Sequence, residues 1–166
     1  MTANEQPFVL IRDARKSDLP AILALIKELA EFEKAPNEVS VTLTELENDG
    51  FGDKPLFRCF VAELNLEVVG MALAYIGYST WKGKLLYLDD IIVTGRHRNR
   101  GIGKLLMDKV INLAIAENAN MLKWQVLRWN TDAIRFYKRL KNVVFDDEWV
   151  DCKMFKSALK PFEQAG

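Results

Sequence analysis

A group of arginines meets two glycines at the start of an apolar segment, in the stretch RHRNRGIGKLL at residues 96–106. Backbone N–H groups at a helix N-terminus attract anions, and the helix dipole adds partial positive charge there. Gly101 and Gly103 leave those N–H groups uncovered, while Arg98 and Arg100 can add charge-assisted bonds to phosphate oxygens. The stretch therefore predicts a phosphate-binding turn. Glycines that only shape a turn, with the arginines in solvent, are the plainer alternative.

Nucleotide loops of two common kinds do not fit this stretch. A Walker A loop needs Ser or Thr after its lysine to bind magnesium, whereas leucine follows Lys104. A dinucleotide-binding fingerprint needs G-x-G-x-x-G, which the sequence lacks. The 23 basic residues are balanced by 23 acidic ones, so a global nucleic-acid or membrane-surface role has no electrostatic support. Nucleic-acid binding through RHRNR is therefore the weaker interpretation.

Two aspartates interrupt the apolar run KLLYLDDIIV, which predicts a strand, and strands disfavour aspartate. Successive strand residues point to opposite faces, so Asp89 and Asp90 are not expected to act as one dyad. Carboxylates attract cationic ligands and can accept a proton, directly or through water. A salt bridge at the end of a sheet is the alternative explanation for the pair.

The remaining reactive side chains give weaker signals. His97 lies in the phosphate turn, where a solvated or phosphate-adjacent role is favoured over that of a general base. Together with Cys59 and Cys152 it does not supply zinc-ligand spacing, so no metal is expected. Two thiols outside any disulfide framework indicate a reducing compartment. The N-terminal stretch holds no long apolar run, so neither a signal peptide nor a membrane helix is predicted, and a cytoplasmic location is expected.

The elements that must position these residues follow from hydrophobic periodicity. FVLIRDA predicts a first strand, and apolar residues at helical spacing predict a helix from an N-cap at Ser17 to about Glu33. Thr42 and Glu45 form a capping-box pattern, which predicts a second helix ending near the glycine of NDGFG. FRCFVAEL and EVVGMALAYIGY predict two strands joined by a turn at Asn65, and the long strand KLLYLDDIIV follows them.

The second half of the chain continues this pattern. A helix is predicted from Ile102 to Ala116, with one face formed by Ile102, Leu105, Leu106, Val110, Leu113 and Ala114. MLKWQVL predicts another strand, Asn130 is the predicted cap of a helix in TDAIRFYKRL, and VVFDDEWVDCKMF predicts two closing strands. No repeat or Pro/Gly-rich linker divides the sequence. We therefore expect one domain over residues 1–166, built on a mixed α/β sheet.

The phosphate turn carries a family resemblance. The pattern Arg98-x-x-Gly101-x-Gly103 after an apolar strand resembles the acetyl-CoA loop of the GNAT superfamily of N-acetyltransferases. The diamine and thialysine acetyltransferase branch is similar to nearly the whole chain, in the segments LIKELAEFEK, DGFGDKPLFRCFVAE, YSTWKGKLLYLDDIIV, RNRGIG and WNTDAIRFYKR. AEFEK and YSTWKGK are especially similar to the thialysine type. The resemblance implies a GNAT fold of the α/β (α+β) class, with a central mixed, mostly antiparallel sheet flanked by helices and strands splayed at the acetyl-CoA site.

The resemblance also implies how the cofactor is held. The main chain of Ile91, Ile92 and Val93 would pair with the pantetheine arm as an added strand does. The pyrophosphate would lie on the turn formed by Arg98, Asn99, Arg100, Gly101, Ile102, Gly103 and Lys104. Asn130 would cap its helix and face the pantetheine, although on spacing alone it needs no role beyond the cap.

Tyr137 matches the family tyrosine placed near the cofactor sulfur, although spacing alone favours a packed helix aromatic. A departing thiolate has a conjugate acid of pKa about 8.5, and a phenol of pKa about 10 can donate a proton to it without being ionised at neutral pH. Many relatives end this helix with glycine, whereas this chain has Lys141 and Asn142. Asparagine can adopt the left-handed cap conformation, so the helix can still end there.

The amine side of the site is implied by the same resemblance. Asp89 matches a family glutamate that meets the substrate amine, and its shorter arm favours contact through water. Asp90 would bind the distal charge of the substrate or a structural partner. Phe32 and Glu33 match positions that line the amine pocket, with a solvated charge as the alternative for Glu33. Trp81 would form an apolar or cation–π wall.

These residues together predict transfer of the acetyl group of acetyl-CoA to the primary amine of thialysine, a lysine analogue or a small diamine or polyamine. The polyamine branch has an aspartate where this chain has Ser79, which favours a shorter amine. Direct attack in a ternary complex is expected, since neither cysteine lies in an activating motif. Relatives in the branch are homodimers, so a homodimer is expected. Acetylation of a protein or peptide amine is an alternative; a non-catalytic acyl-CoA-binding regulatory module is another, which Tyr137 and Asp89 disfavour.

Overall fold

The computed structural model describes residues 8–159, whose contacts divide the chain into one unit up to Leu127 and another from Arg128. The first unit contains, in order, β1 (Val9–Asp13), α1 (Leu19–Phe32), α2 (Leu43–Phe51), β2 (Arg58–Leu64), β3 (Glu67–Ser79), β4 (Gly83–Val93), α3 (Ile102–Ala116) and β5 (Met121–Lys123). The second unit contains α4 (Thr131–Lys138). Within the described range no helix is long and apolar enough to cross a membrane. The prediction for the N-terminal stretch rests partly on residues 1–7, which lie outside that range.

The strands of the first unit form one sheet in the order β1-β2-β3-β4-β5. Neighbouring strands are antiparallel except β4 and β5, which run parallel, so the predicted mixed, mostly antiparallel sheet is confirmed. A tight turn at Asn65 and Leu66, with φ values of 50° and 67°, joins β2 to β3. Two residues with positive φ suit the right-handed twist of a hairpin, and asparagine tolerates this conformation well. The turn predicted at Asn65 is confirmed.

Helices cover both faces of the sheet. Beneath α1 lies a core cluster formed by Ile22, Leu25, Cys59, Val61, Met71, Leu73 and Ile92. On the other face, the Lys109 ammonium of α3 lies 5.2 Å from the centroid of the Phe60 ring. Cys59 and Phe60 are successive residues of β2, so strand alternation sends one side chain to each helix layer.

The first helix starts later than the sequence predicts. α1 begins at Leu19, and Asp18 rather than Ser17 occupies the N-cap position. The Asp18 carboxylate accepts hydrogen bonds from the Arg12 guanidinium at 2.7 and 3.0 Å and from the Arg15 amide at 2.7 Å. Asp18 therefore closes the turn that precedes α1, and the cap predicted at Ser17 is wrong.

The second and third helices follow the predictions closely. α2 starts after Thr42, whose hydroxyl accepts the Glu45 amide at 3.2 Å in the predicted capping box. α3 spans Ile102–Ala116 as predicted. Its buried face includes Met107 in place of Leu105, which is 42% exposed. The helical pattern therefore predicts the element correctly and one of its core residues wrongly.

In the second unit, the predicted cap of α4 is confirmed, because Asn130 Oδ1 accepts the Ala133 amide at 3.2 Å. Asn142 has a φ of 62°, the left-handed conformation expected after this helix. The two strands predicted in VVFDDEWVDCKMF are wrong, since residues 143–155 form none. Strand backbone groups need a ladder partner, and no strand in the described residues pairs with this segment. MLKWQVL likewise forms a strand only over Met121–Lys123.

Candidate functional site

The start of α3 leaves backbone donors without acceptors. Gly101 precedes the helix with a φ of 79°, a left-handed conformation that favours glycine. Its carbonyl accepts the N–H groups of Lys104 and Leu105 at 3.1 and 3.2 Å. The N–H groups of Ile102 and Gly103 lie in the first turn, where a helix has no carbonyl to offer them. These two N–H groups are the backbone donors that we predict from the sequence to bind an anion.

Gly103 has no packing reason among the described residues to lack a side chain. A Cβ at this position would meet only Val93 Cγ2, at 4.0 Å, which is ordinary van der Waals contact. A Cβ at Gly101 would meet no described atom within 4 Å, although the positive φ explains glycine there. The space over the start of α3 is therefore open, as close approach of a ligand to the backbone requires.

The basic side chains of the turn differ in their partners. Arg96 pairs with Glu67, and Lys104 pairs with Asp108 at 2.6 Å, so both are engaged within the protein. Arg100 is exposed and makes no ion pair with a described residue. Of the side chains predicted to hold pyrophosphate, Arg100 is thus available as it stands, whereas Lys104 would have to leave Asp108.

Arg98 is held where the turn meets α1. Its Nε donates to the Val93 carbonyl at 3.0 Å, and its guanidinium carbon lies 4.9 Å from the centroid of the Phe32 ring. A cation over an aromatic face is attracted by the ring quadrupole. Phe32, assigned by resemblance to the amine pocket, therefore also contacts the phosphate turn.

His97 lies between the arginines, in a short turn over Gly95–His97. Its Nδ1 is buried and has no hydrogen-bond partner among the described residues. Burial, together with the positive charges of Arg100 and Arg96, lowers the pKa of His97 below its usual value. The imidazole is therefore neutral at pH 7, and the positive charge of the turn belongs to its arginines and lysine.

One side of β4 is open over the half nearest this turn. β5 pairs with β4 only at residues 85–87, whereas β3 pairs with β4 as far as Val93. Residues 88–93 therefore have a strand on one side only among the described strands. From residue 90 to residue 93, alternate residues direct their N–H and C=O groups to the open side. The predicted backbone-pairing residues 91–93 lie in it.

The two aspartates lie at a β-bulge. Leu73 of β3 is opposite Asp90 and Ala74 is opposite Leu88, which leaves Asp89 as an extra residue in β4. A bulge breaks the strict alternation of side chains and re-aims them. The expectation that the two aspartates face opposite sides rested on regular alternation, which does not hold here.

Asp89, Asp90 and Glu33 form an acidic cluster between β4 and the end of α1. Burial, and then the negative charges of Asp89 and Glu33, raise the pKa of Asp90 to about 6. Partial burial also raises the pKa of Asp89 and that of Glu33, although both residues are exposed. Within residues 8–159, no lysine or arginine pairs with any of the three. The salt bridge offered as the plainer explanation of the aspartates is thus not found in this range.

Aromatic residues lie both beside the acidic cluster and far from it. Tyr75 and Tyr87 stack with ring centroids 5.2 Å apart, and burial followed by the charge of Asp89 raises the pKa of Tyr75. Trp81 lies in the turn between β3 and β4 and is 81% exposed. From Gly83 to Asp89 the strand advances about 20 Å. The chain therefore does not bring its own Trp81 beside Asp89.

The second unit holds the remaining predicted site residues. Tyr137 is 6% exposed, and its ring centroid lies 5.3 Å from that of Phe136. Asn130 uses its side-chain oxygen to cap α4. Their roles toward a cofactor stay predictions. Among residues 8–159, His, Cys, Asp and Glu side chains form no group of three suited to a metal ion.

Residues 22–141 match the sequence profile of the acetyltransferase (GNAT) family. The chain belongs to this family. It is 42% identical over 141 residues to the thialysine N-epsilon-acetyltransferase of Bos taurus, covering 80% of this chain and 83% of that protein. The protein of the same name from Mus musculus is 37% identical over 160 residues, covering 90% and 94%. The structure of aminoglycoside N-acetyltransferase AAC(6')-Iy in complex with CoA shares the GNAT fold, with a TM-score of 0.73 and 19% identity over 93% of this chain and 99% of that one. The predicted family and fold are confirmed.

Sequence reasoning missed one contact at the turn before α3, which Glu28 makes. Its Oε1 accepts the N–H of Gly95 at 2.8 Å, joining α1 to the turn that follows β4. A glutamate on an amphipathic helix is most simply a solvated charge, and a phosphate-binding turn gives no reason to expect a carboxylate. The sequence therefore carries no signal for this contact.

Proposed function

We propose that this GNAT protein transfers the acetyl group of acetyl-CoA to the primary amine of a small cationic substrate, of the thialysine, lysine-analogue or small-diamine class. The acidic cluster carries the proposal, because its carboxylates have raised pKa values and form no ion pair with a described lysine or arginine. A bound ammonium group would supply the missing charge and favour the ionised carboxylates. The names of the bovine and mouse relatives support the same class. Ser79, which adds no carboxylate, favours the shorter amines.

Acetyl-CoA is the proposed donor. The backbone donors at the start of α3, with Arg98 and Arg100, would bind the pyrophosphate, since a helix N-terminus and arginines together suit an anion. The open side of residues 91–93 would pair with the pantetheine arm as an added strand. The CoA in the structure of the aminoglycoside acetyltransferase, which shares the fold, supports this choice.

We propose direct attack within a ternary complex. A lysine-like amine has a pKa near 10.4, so it must lose a proton, which Asp89 accepts directly or through water. The nitrogen then attacks the thioester carbon, the tetrahedral intermediate collapses, and the C–S bond breaks. Tyr137 donates a proton to the departing thiolate, and the second proton of the attacking nitrogen returns to the phenolate directly or through water, giving the acetylated amine and free CoA. Burial raises the pKa of Cys59 to about 12, so this thiol does not form the thiolate that a covalent route through it would need.

We further propose one catalytic domain, a homodimer and a cytoplasmic location. The family match runs from residue 22 to 141 and so continues across Leu127, which supports a single domain. Ile76, Tyr78 and Trp81 are 48%, 79% and 81% exposed along one hairpin, and such apolar exposure suits a subunit interface. Two free cysteines fit a reducing compartment. The proposal includes no metal, nucleic-acid or membrane partner.

A substrate panel tests the assignment. Pure protein with saturating acetyl-CoA is assayed against thialysine, lysine, putrescine and spermidine, and we expect turnover with the shorter amines ahead of spermidine. No turnover with any of the four would reject the proposed substrate class. Acetylation of peptide amines alone would favour the peptide alternative, and acetyl-CoA binding without any turnover would favour a regulatory module.

Gly103→Ala tests the cofactor site. The added methyl has 4.0 Å of clearance within the protein, and alanine is the better helix former, so the variant should fold. It would cover the backbone donors, and we expect the Kd for acetyl-CoA, measured by calorimetry, to rise at least about tenfold through loss of a charge-assisted hydrogen bond. Leu105→Ala, an exposed change two residues further along α3, is the matched control. An unchanged Kd in Gly103→Ala would contradict the proposed phosphate contact.

A further inference from the structure

The last turns of α1 fix the segment that leads from β4 into the phosphate turn. Glu28 Oε1 accepts the Gly95 N–H at 2.8 Å, and Gly95 opens the short turn that ends at His97. Hydrogen bonds between a carboxylate and a backbone N–H are charge-assisted and stronger than neutral ones. This contact therefore sets where the chain leaves the sheet on its way to Gly101.

Other contacts tie the same segment to the sheet. The Thr94 amide donates to the Val69 carbonyl at 2.9 Å, and the His97 amide donates back to Thr94 at 2.9 Å. The sheet thus holds the base of the turn. On the helix side, Glu28 and Phe32 lie four residues apart and so on one face of α1. Glu28 holds the backbone, and the Phe32 ring lies under the Arg98 guanidinium.

The charge of Glu28 argues that its role is one of position. A carboxylate beside a turn that binds pyrophosphate repels the ligand, so its charge alone would weaken binding. A Cβ at Gly95 would approach Glu28 Oε1 to 3.9 Å, so the carboxylate lies directly against this backbone. Glu28 therefore acts as a hydrogen-bond acceptor whose side chain is long enough to meet the Gly95 N–H.

We propose that Glu28 is a positioning residue, which holds the phosphate-binding turn in the geometry that accepts acetyl-CoA while touching neither substrate. The proposal rests on the proposed function, in which this turn binds the pyrophosphate. This role differs from that of Glu33 at the end of α1, whose charge raises the pKa of Asp90 in the acidic cluster. Glu28 should therefore govern the acetyl-CoA side of the reaction and leave the amine side unchanged.

Two conservative variants separate reach from charge. Glu28→Gln keeps an acceptor oxygen at the same reach and removes the charge, so we expect a Kd and KM for acetyl-CoA equal to or lower than those of the natural protein. Glu28→Asp keeps the charge but shortens the arm by one carbon, so we expect both constants to rise about tenfold, as a lost charge-assisted hydrogen bond implies. Glu28→Ala should resemble Glu28→Asp. In all three, kcat and the KM for the amine should stay within about twofold.

Glu31→Ala is the matched control, because Glu31 is an exposed glutamate on the same helix. It should leave every constant unchanged. The proposal is overturned if Glu28→Asp binds acetyl-CoA as the natural protein does, or if Glu28→Gln is weakened as much as Glu28→Asp. A lower kcat, a higher KM for the amine and a lower melting temperature, all in the same variant, would also overturn it, because together they indicate a general structural role. Failure of the natural protein to bind acetyl-CoA would instead reject the proposed function.

Discussion

Two groups of acidic residues in this protein, one around the buried Asp18 and one around the half-buried Asp90, are in opposite electrostatic situations. In the ion cluster of Arg12, Asp18 and Glu63, the guanidinium donates to Asp18 at 2.7 and 3.0 Å and to Glu63 at 2.6 and 2.8 Å. The hydrogen bond from Arg12 holds the pKa of Asp18 below its usual value. In the acidic cluster, burial and the neighbouring carboxylates raise the pKa of Asp90 to about 6.

The difference separates a carboxylate whose charge the fold uses from one that forms no ion pair with a described residue. Asp18 is 7% exposed and fully engaged with Arg12 and the Arg15 amide, so the fold itself uses its charge. Asp90 is half-buried, and within residues 8–159 no lysine or arginine forms an ion pair with it. A buried carboxylate without a partner costs stability, and such a cost is commonly retained at functional sites.

The largest expected effect comes from breaking the ion cluster. Arg12→Ala leaves Asp18 and Glu63 without their partner, in positions whose side chains are only 8% and 18% exposed. Removing one partner of a buried pair typically costs about 3–5 kcal/mol, and we expect a loss of that order in the free energy of unfolding. Urea denaturation measures it.

Arg58→Ala is the control for this experiment. Arg58 also pairs with an aspartate, Asp13, but both side chains are more than half exposed. Exposed pairs contribute about 0–1 kcal/mol, so the control should lose no more than that. Equal losses in the two variants would show that the ion cluster is no more than a surface pair, and the comparison would fail.

The second effect has the opposite sign. Asp90→Asn removes the group whose pKa is raised to about 6, and we expect the free energy of unfolding at pH 7 to increase by about 1–3 kcal/mol. The affinity for thialysine should fall at the same time, because a carboxylate is lost from the proposed amine site. Asp49→Asn, at an exposed position, should change neither quantity. A variant that loses stability would contradict the view that Asp90 is uncompensated.

The smallest effect concerns pH. A lysine-like side-chain amine stays protonated between pH 5 and pH 7.5. A change in its affinity over this range therefore reports protonation of groups on the protein. Asp90 becomes protonated as the pH falls through about 6, so we expect the Kd for thialysine, measured by calorimetry without acetyl-CoA, to rise several-fold between pH 7.5 and pH 5. The same titration with Asp90→Asn should be nearly flat, and an equally steep one would assign the effect to another group.

Stability should respond to pH differently in the two regions. The folded-state pKa of Asp90 is raised, so its cost is present above about pH 6 and is relieved as the pH falls from there toward 4. The stability gained by Asp90→Asn should therefore shrink over that range. The folded-state pKa of Asp18 is lowered, so its contribution is present above its unfolded value of about 3.9 and is lost as the pH falls further.

Local signals made much of this fold predictable. The capping box at Thr42, the turn at Asn65 and the cap at Asn130 each depend on neighbouring residues only, and all three form as predicted. The glycine turn that begins α3 was also predictable, because glycine spacing and a following helix lie within one short segment. The left-handed φ of Gly101 agrees with that pattern.

The errors arise where a residue's role depends on a partner outside its own helix, strand or turn. Asp18 differs from a simple cap because Arg12 draws its carboxylate away. The bulge at Asp89 depends on the register with β3, which no local pattern gives. Glu28 meets a turn 67 residues further along the chain. The apolar pattern of the closing strands was present in the sequence, but strand formation there needs a neighbouring ladder.

The single-sided stretch of β4 has a consequence for measurement. Between residues 90 and 93, beyond the bulge, amides directed toward β3 are hydrogen-bonded in the sheet, while those between them point to the open side. In the ligand-free protein, deuterium should therefore enter at every second amide of this stretch. An acetyl donor bound along the open side should slow the exchange of those amides. Amide exchange along this strand therefore reports, residue by residue, whether the acetyl donor is bound, and it does so even in a catalytically inactive variant.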